Sequence, residues 1–196
     1  IGTVNVTVAS ALSATYDGNP HSFAVTPNPS DALVEYSLDP DEDYGSSDGT
    51  ITNAGSYTVY YRVTKSGYRT TYGSFNVMVS KAQLGELEPA SEMLLGTESG
   101  TDKTVDISAY LYGTSSLVSY TVTGEIADYI TVTGINNGKL VYTLAENTPA
   151  GATGNITAVI QSDNYENYTL VIPVLVASRE AKVTLNEESL TGSAVS

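Results

Sequence analysis

The 196-residue chain sets 22 acidic side chains against 8 basic ones, for a formal charge of −14, and contains one histidine and no cysteine. That balance excludes a protein held to nucleic acid or to an anionic membrane surface by clustered cations. The missing thiols exclude disulfides, thiolate-bound zinc and cysteine chemistry.

Charged residues are 15% of the chain, against about 25% in an average globular protein, and 15 Tyr stand beside only 2 Phe. Thr, Val and Tyr suit a pleated, half-buried surface, and no window sustains the i, i+3, i+4, i+7 repeat of an amphipathic helix. The chain is therefore predicted to be all-β. In chain order, strands are expected near Val4–Val8, Ser22–Val25 and Leu33–Leu38. Tyr57–Val63 alternates with period two, putting Tyr57, Val59, Tyr61 and Val63 on one face. Lys65-Ser66-Gly67-Tyr68 reads as a turn in which Gly67 takes φ > 0, and Phe75–Ser80 closes the hairpin. Alternation stops across Lys81–Pro89, which marks a domain boundary.

Beyond the boundary, strands are expected at Val105–Ile107, Val118–Val122, Tyr129–Thr133 and Leu140–Leu144, with Asn136-Asn137-Gly138 as a type I′ hairpin turn. Two closing strands follow, the last from Leu170 to Ser178. Pro173, lacking an N–H, predicts an edge there. The order repeats: Gly55-Ser56-Tyr57-Thr58 and Gly154-Asn155-Ile156-Thr157 each open a strand. Each strand is followed by a polar turn ending in Tyr (Gly67-Tyr68, Asn164-Tyr165) and then by a second Tyr, Tyr72 or Tyr168. Short strands at this spacing predict two consecutive immunoglobulin-like β-sandwiches, residues 1–82 and 83–178. The first carries a net −4 and the second −9; residues 179–196 form a tail or the start of a further repeat. No apolar run approaches the ~20 residues needed to cross a bilayer, and the opening residues do not read as a signal peptide.

The first half holds Thr15-Tyr16-Asp17-Gly18-Asn19-Pro20-His21-Ser22, then Val34-Glu35-Tyr36-Ser37-Leu38, then Thr52-Asn53-Ala54-Gly55 running into Tyr57–Val63, and Gly67-Tyr68. This order resembles the bacterial immunoglobulin-like repeats of the YDG/MBG type, which occur in tandem in large surface proteins of Gram-positive gut bacteria and in adhesins. The resemblance covers most of residues 1–82. Residues 83–178 look like a companion sandwich repeat, marked by Asn164-Tyr165-Glu166-Asn167-Tyr168-Thr169. What the resemblance implies is a secreted, wall- or membrane-attached protein whose repeats act as spacer or adhesion modules, with no shared catalytic residues. The acidic insertion at Asp39–Asp48 departs from the pattern.

Within that insertion Asp39, Asp41 and Asp43 stand at alternate positions, as in loops that wrap Ca²⁺ with oxygen ligands. Tyr44 and Thr50 occupy the places where an EF-hand needs Gly and Glu, and the plainer reading is a solvated acidic loop. Tyr60, Tyr68, Tyr72, Tyr110 and Tyr112 are candidates for stacking on a glycan, beside the plainer reading of cross-strand packing. Lys65, Lys103 and Lys139 fall in turn-like sequence, which disfavours the buried amine an intramolecular isopeptide bond needs. His21 reads as a strand-edge residue, and the carboxylates Glu125, Asp128, Asp163 and Glu166 as solvated side chains near turns.

The expected function is a non-catalytic stalk, spacer or adhesion module of a larger secreted or cell-surface bacterial protein, monomeric, with no catalytic or cofactor-binding residues. Its expected partners are neighbouring repeats of the same chain and a host or dietary glycan or protein, with no nucleic acid and no membrane insertion. The alternatives are a glycan-binding module, Ca²⁺-dependent through Asp39, Asp41 and Asp43, and an accessory domain of a secreted glycoside hydrolase.

Overall fold

The structure, a computed structural model, describes residues 1–9, 12–41, 44–45, 49–96 and 102–177. Asp43 and the expected start of a further repeat in 179–196 lie outside the described residues.

The N-terminal half runs β1 (Gly2–Thr3), β2 (Asn5–Val8), β3 (Leu12–Thr15), β4 (His21–Ser22), β5 (Val25–Asn28), β6 (Leu33–Ser37), β7 (Thr50–Ile51), β8 (Gly55–Thr64), β9 (Tyr68–Arg69) and β10 (Thr71–Ser80). Its frame is the β8–β10 hairpin, paired from Thr71 opposite Val63 to Val79 opposite Gly55. The alternation in β8 buries Val59, Tyr61 and Val63, while Thr58, Tyr60 and Arg62 face out. β6 pairs antiparallel with β8, and β3 lies parallel on β10, giving the order β3-β10-β8-β6. The β2–β5 and β4–β7 pairs form the facing layer.

Ser22–Val25, expected as one strand, is split into β4 and β5 at Phe23-Ala24. Phe23 still extends the β4–β7 ladder, its amide donating to Gly49 O (2.7 Å), whereas the Val25 amide leaves that register for the Tyr36 hydroxyl (2.9 Å); the Phe23 ring packs edge-on against Tyr36 and Phe75. β3 has little strand signal of its own; its Leu12 and Ala14 face the core because β10 offers a ladder.

The C-terminal half runs β11 (Met93–Leu95), β12 (Lys103–Asp106), a 3-10 turn at Ser108–Tyr110, β13 (Ser115–Gly124), β14 (Ile130–Asn136), β15 (Lys139–Leu144), β16 (Thr153–Ser162) and β17 (Tyr168–Val176). β11-β17-β16-β13 is one sheet and β12-β15-β14 the other. Side chains from both layers, among them Leu95, Ile156, Ile172, Leu140 and Tyr142, form a single buried core. At the β14–β15 turn Asn137 (φ 48°) and Gly138 (φ 77°) take the two positive φ angles of a type I′ turn.

The four-stranded sheets of the two halves share one topology. In each, the last strand takes an antiparallel partner (β8 on β10, β16 on β17) and a parallel one from early in the half (β3, β11). The incoming chain also repeats a strap: Gly2 pairs parallel with Tyr68 and donates its N–H to Gly67 O (3.2 Å). Ala82 bridges parallel to Tyr165 and donates to Asn164 O (3.0 Å). The fold is all-β and immunoglobulin-like, two layers with the first-to-last parallel pairing. Pro173 lies in an interior strand, contrary to the expected edge: β17 pairs with β16 throughout. Its second neighbour β11 begins at Val174, so the missing N–H of Pro173 falls one residue before that ladder.

Candidate functional site

The most built polar and aromatic cluster is the junction between the halves. β3 and β10 end together, with the Tyr16 amide donating to Ser80 O (2.8 Å), and the chain passes through Lys81 and Ala82 toward the β16–β17 turn. There the Ala82 strap is closed from both sides, because Glu166 donates its amide to Ala82 O (2.8 Å). The Lys81 ammonium donates to Ser162 O at 2.6 Å.

Asn164, at the tip of the β16–β17 turn, clamps the other half. Its Oδ1 accepts the Ala54 amide (2.8 Å), and its Nδ2 donates to Asn53 Oδ1 (3.2 Å). The Asn53 turn is held in turn by the Tyr57 hydroxyl, which donates to Asn53 O (2.9 Å). A ladder of rings crosses the same boundary. Tyr16 meets Tyr165 edge-on at 5.4 Å, Tyr165 meets Tyr112 at 5.6 Å, and Tyr112 meets the buried Tyr168 at 5.6 Å. Ser162, itself buried, donates its hydroxyl to Tyr112 O. Beside this ladder an open polar groove of about 580 Å³ is lined by Asn53, Lys81, Thr114, Asp163 and Asn164. The arrangement fixes one half on the other through amides, carbonyls and ring edges.

The five tyrosines expected to stack on a glycan do not form one platform. Tyr112 belongs to the junction ladder. The Tyr110 hydroxyl donates to Ser91 Oγ and accepts the Ser91 amide (2.9 Å), and these bonds hold its pKa below the usual phenol value. The Tyr68 ring covers Gly2, where an added Cβ would sit 2.8 Å from the ring, and the Lys65 ammonium lies 5.9 Å from its centroid. Only Tyr60 and Tyr72 share a surface, the outer face of β8 and β10. Tyr72 is 61% exposed and meets Tyr44 edge-on (5.9 Å). The Arg62 guanidinium sits 5.3 Å over the Tyr44 ring and donates from Nε to Glu35 Oε2 (2.9 Å).

Asp39 and Asp41 are exposed in the turn after β6, where the Asp39 carboxylate accepts the Asp41 amide (2.9 Å) in an Asx turn. Two members of the expected calcium ligand set are thus described, and among the described residues no group of three His, Asp or Glu is poised for a metal. Lys65 is ion-paired with Asp31 (2.6 Å). Lys103, expected in a turn, stands in β12 opposite Tyr142, and Lys139 stands opposite Asp106. His21 Nε2 lies 3.2 Å from Asp17 Oδ1, near enough to pair when protonated but without hydrogen-bond alignment. Glu125 accepts the Thr153 amide at 3.4 Å, and Asp163 lines the junction groove.

No family model and no curated protein matches the sequence. Solved structures are similar at low scores. SGBP-B of the Bacteroides ovatus mixed-linkage glucan utilization locus, in complex with a mixed-linkage heptasaccharide, is 19% identical. Its TM-score is 0.35 over 89% of this chain and 48% of that one. A tandem of titin Ig domains is 11% identical with a TM-score of 0.38, over 91% of this chain and 98% of that one. The insect immune protein hemolin is 12% identical with a TM-score of 0.38, over 87% and 45%. The chain spans about half the length of the SGBP-B and hemolin chains it matches. The β-sandwich assignment rests on the strand order and the layered cores described above.

Proposed function

We propose that the chain is a stiff two-module spacer, residues 1–82 and 83–178 being consecutive sandwich domains of YDG/MBG-type character in a secreted or surface-attached bacterial protein. Residues 179–196 are the tail or the start of a further repeat. The observation that supports this reading is the junction: a two-sided backbone strap at Ala82, the Asn164 clamp and the Tyr16–Tyr165–Tyr112 ladder. Inter-domain contacts inside a chain usually permit relative motion. A clamp that satisfies backbone amides and packs rings across the boundary restricts it, which is what a module needs in order to hold a distal domain at a set distance. The chemistry of the assembled protein then belongs to other parts of it, and this module contributes reach and orientation.

Paired spin labels on an exposed site of each half, read by double electron–electron resonance, test this. A narrow distance distribution that broadens in Asn164→Ala/Tyr165→Ala is the expected result. A distribution already broad in the parent chain overturns it.

A second reading, a glycan-binding module, is favoured by Tyr72 and Tyr44 beside the Arg62–Glu35 pair on the outer face of β8 and β10. An accessory role beside a secreted glycoside hydrolase is the same reading with the chemistry elsewhere. Affinity electrophoresis through neutral plant and host polysaccharides separates it from the spacer reading. Retardation lost in Tyr72→Ala supports it, and unchanged mobility in every gel removes it.

A further inference from the structure

The four-stranded sheets of the two halves differ in what they turn outward. In the N-terminal half the outward positions of β10 and β8 stand in rows: Tyr72 opposite Arg62, Ser74 opposite Tyr60, and Asn76 opposite Thr58. β6 extends the first two rows with Glu35 and Ser37. At two residues per step, the three rows span about 13 Å along the strands. In the C-terminal half the same places hold Thr157 opposite Val171 and Val159 opposite Thr169, with no ring.

Tyr72 leaves 61% of its surface to solvent, yet its ring is braced. Tyr44 meets it edge-on at 5.9 Å, and Tyr44 is itself held from two sides. Arg62 lies over the Tyr44 ring and donates from Nη2 to the Tyr44 carbonyl (3.4 Å), while Glu35 accepts from Arg62 Nε (2.9 Å). On the other side Gly45 accepts the Tyr36 amide (3.2 Å). The far row is ordered too: Thr58 Oγ1 donates to Asn76 Oδ1 (3.3 Å), which leaves the Asn76 amide hydrogens to give elsewhere. Among the described residues the Tyr60 and Tyr72 hydroxyls have no hydrogen-bond partner.

We infer that this face binds a flat, neutral oligosaccharide whose rings are joined through equatorial bonds, laid along the strands from Tyr72 to Asn76. The inference rests on the glycan-binding reading above and names its ligand. A pyranose presents a face of C–H bonds, which packs on the electron-rich face of an aromatic ring. Its rim of hydroxyls needs neutral donors and acceptors within reach. Tyr72 supplies the first, and Tyr60, Ser74, Thr58 and Asn76 supply the second. Equatorial links keep a chain flat, as a sheet face requires, whereas axial links curl it away. Charge narrows the class. The ions on these rows, Arg62 and Glu35, neutralise each other, and the exposed Asp39 and Asp41 follow Ser37 in a chain of net charge −14. A uronate or sulfated chain is repelled there, and a neutral one is not. Because Tyr44 and Arg62 already brace the Tyr72 ring, little of its freedom is left to lose on binding.

Calorimetric titration of the full chain with cellohexaose, maltohexaose and a galacturonate hexamer tests this. Cellohexaose, flat and neutral, is expected to bind with the same affinity at low and high salt. Maltohexaose, which curls, and the galacturonate, which is charged, are expected not to bind. Tyr72→Ala should weaken cellohexaose on the order of tenfold, the scale of one lost stacking contact, while Tyr72→Phe keeps most of the affinity. Asn76→Ala should weaken it by less. Thr121→Ala, on the matching face of the C-terminal half, binds like the parent chain. Tyr72, Asn76 and Thr121 are exposed, so the melting temperature stays with the parent's. Binding of maltohexaose or the galacturonate in place of cellohexaose overturns this ligand and leaves the glycan-binding reading standing. No heat from any of the three at millimolar sugar overturns both. Cellohexaose binding that survives intact in Tyr72→Ala also overturns the inference, by moving the site off this face.

Discussion

The two halves share the order of their four-stranded sheet and differ in the layer that faces it and in the core between. Among the described residues, the C-terminal half has one core of 18 buried residues, dominated by Ile, Leu and Val from both layers. The N-terminal half has two clusters of four, one around Val4, Val25, Tyr61 and Val63 and the other around Ile51, Val59, Val77 and Val79. The rings of Tyr36 and Phe75 pack against both clusters. Short facing strands in the N-terminal half, two residues each in β4 and β7, supply few inward side chains, and aromatic rings take up the remaining space. The lesson is that strand order alone does not set stability; the length of the second layer decides how much aliphatic surface one core can gather.

The largest test of this difference is core truncation. Denaturant unfolding is expected in two steps, the N-terminal half first. Ile156→Ala, at a fully buried position, should lower the second step by about 2–5 kcal/mol, the usual cost of deleting a buried aliphatic side chain with partial collapse. Val59→Ala removes less, about 0.8 kcal/mol per buried methylene, and should move only the first step. Fluorescence and circular dichroism followed through urea read both steps. One coincident transition would break the comparison and make the junction strong enough to merge the halves.

The junction itself is the next largest effect. Asn164→Ala deletes two hydrogen bonds and leaves the Ala54 amide unpartnered, a loss of about 1–3 kcal/mol. The half with the smaller core leans more on its neighbour, so the first step should move more than the second. Tyr16→Ala and Tyr165→Ala together form a double-mutant cycle across the edge-on pair, with an expected coupling of about 0.5–1.5 kcal/mol. Zero coupling would mean that the strap, and not the rings, joins the halves.

Much of this architecture was legible in the sequence, and the rest was withheld for physical reasons. The period-two runs of β8, β10 and β15 and the Asn137-Gly138 turn carry their own signals, because side-chain alternation and positive φ are local properties. β3, β7 and β11 are two to four residues long and take their shape from a partner far along the chain. The junction was half visible. Asn164-Tyr165 stood out as a marker of the repeat, but nothing in its neighbourhood says that its amide reaches Asn53, more than a hundred residues away. The scatter of the five candidate tyrosines has the same origin, since a sequence shows which rings exist and not which layer covers them.

Acid should separate the halves further. Asp17 is held below the usual aspartate range mainly by the Asn19 amide, and Asp31 by the hydrogen bond from Lys65; both lie in the N-terminal half. Asp106, lowered by the Ser108 hydroxyl and amide, is the counterpart in the C-terminal half. A depressed folded-state pKa adds stability that is complete above the unfolded value, about 3.9, and is lost as pH falls through the folded value below it. With two such carboxylates against one among the described residues, the first unfolding step should fall faster than the second as pH drops below about 4. Asp31→Asn, followed by urea titration at neutral and acid pH, should flatten the first step's pH dependence and leave the second alone.

Calcium gives the smallest expected effect and sharpens the comparison from the other side. A metal bound only to the folded N-terminal half at 100 times its Kd would raise that half by about 2.7 kcal/mol, enough to close the gap between the two steps. Asp39 already spends a carboxylate oxygen on the Asp41 amide, and both residues face open solvent. A carboxylate committed to an Asx turn must give up that bond, or share it, before it can join a cage of six to eight oxygens. The melting profile in millimolar Ca²⁺ should therefore overlay the profile in EDTA, in the parent chain and in Asp39→Asn alike. A rise of the first step alone, abolished by Asp39→Asn, would make the acidic turn a metal site and the N-terminal half a module that calcium stiffens.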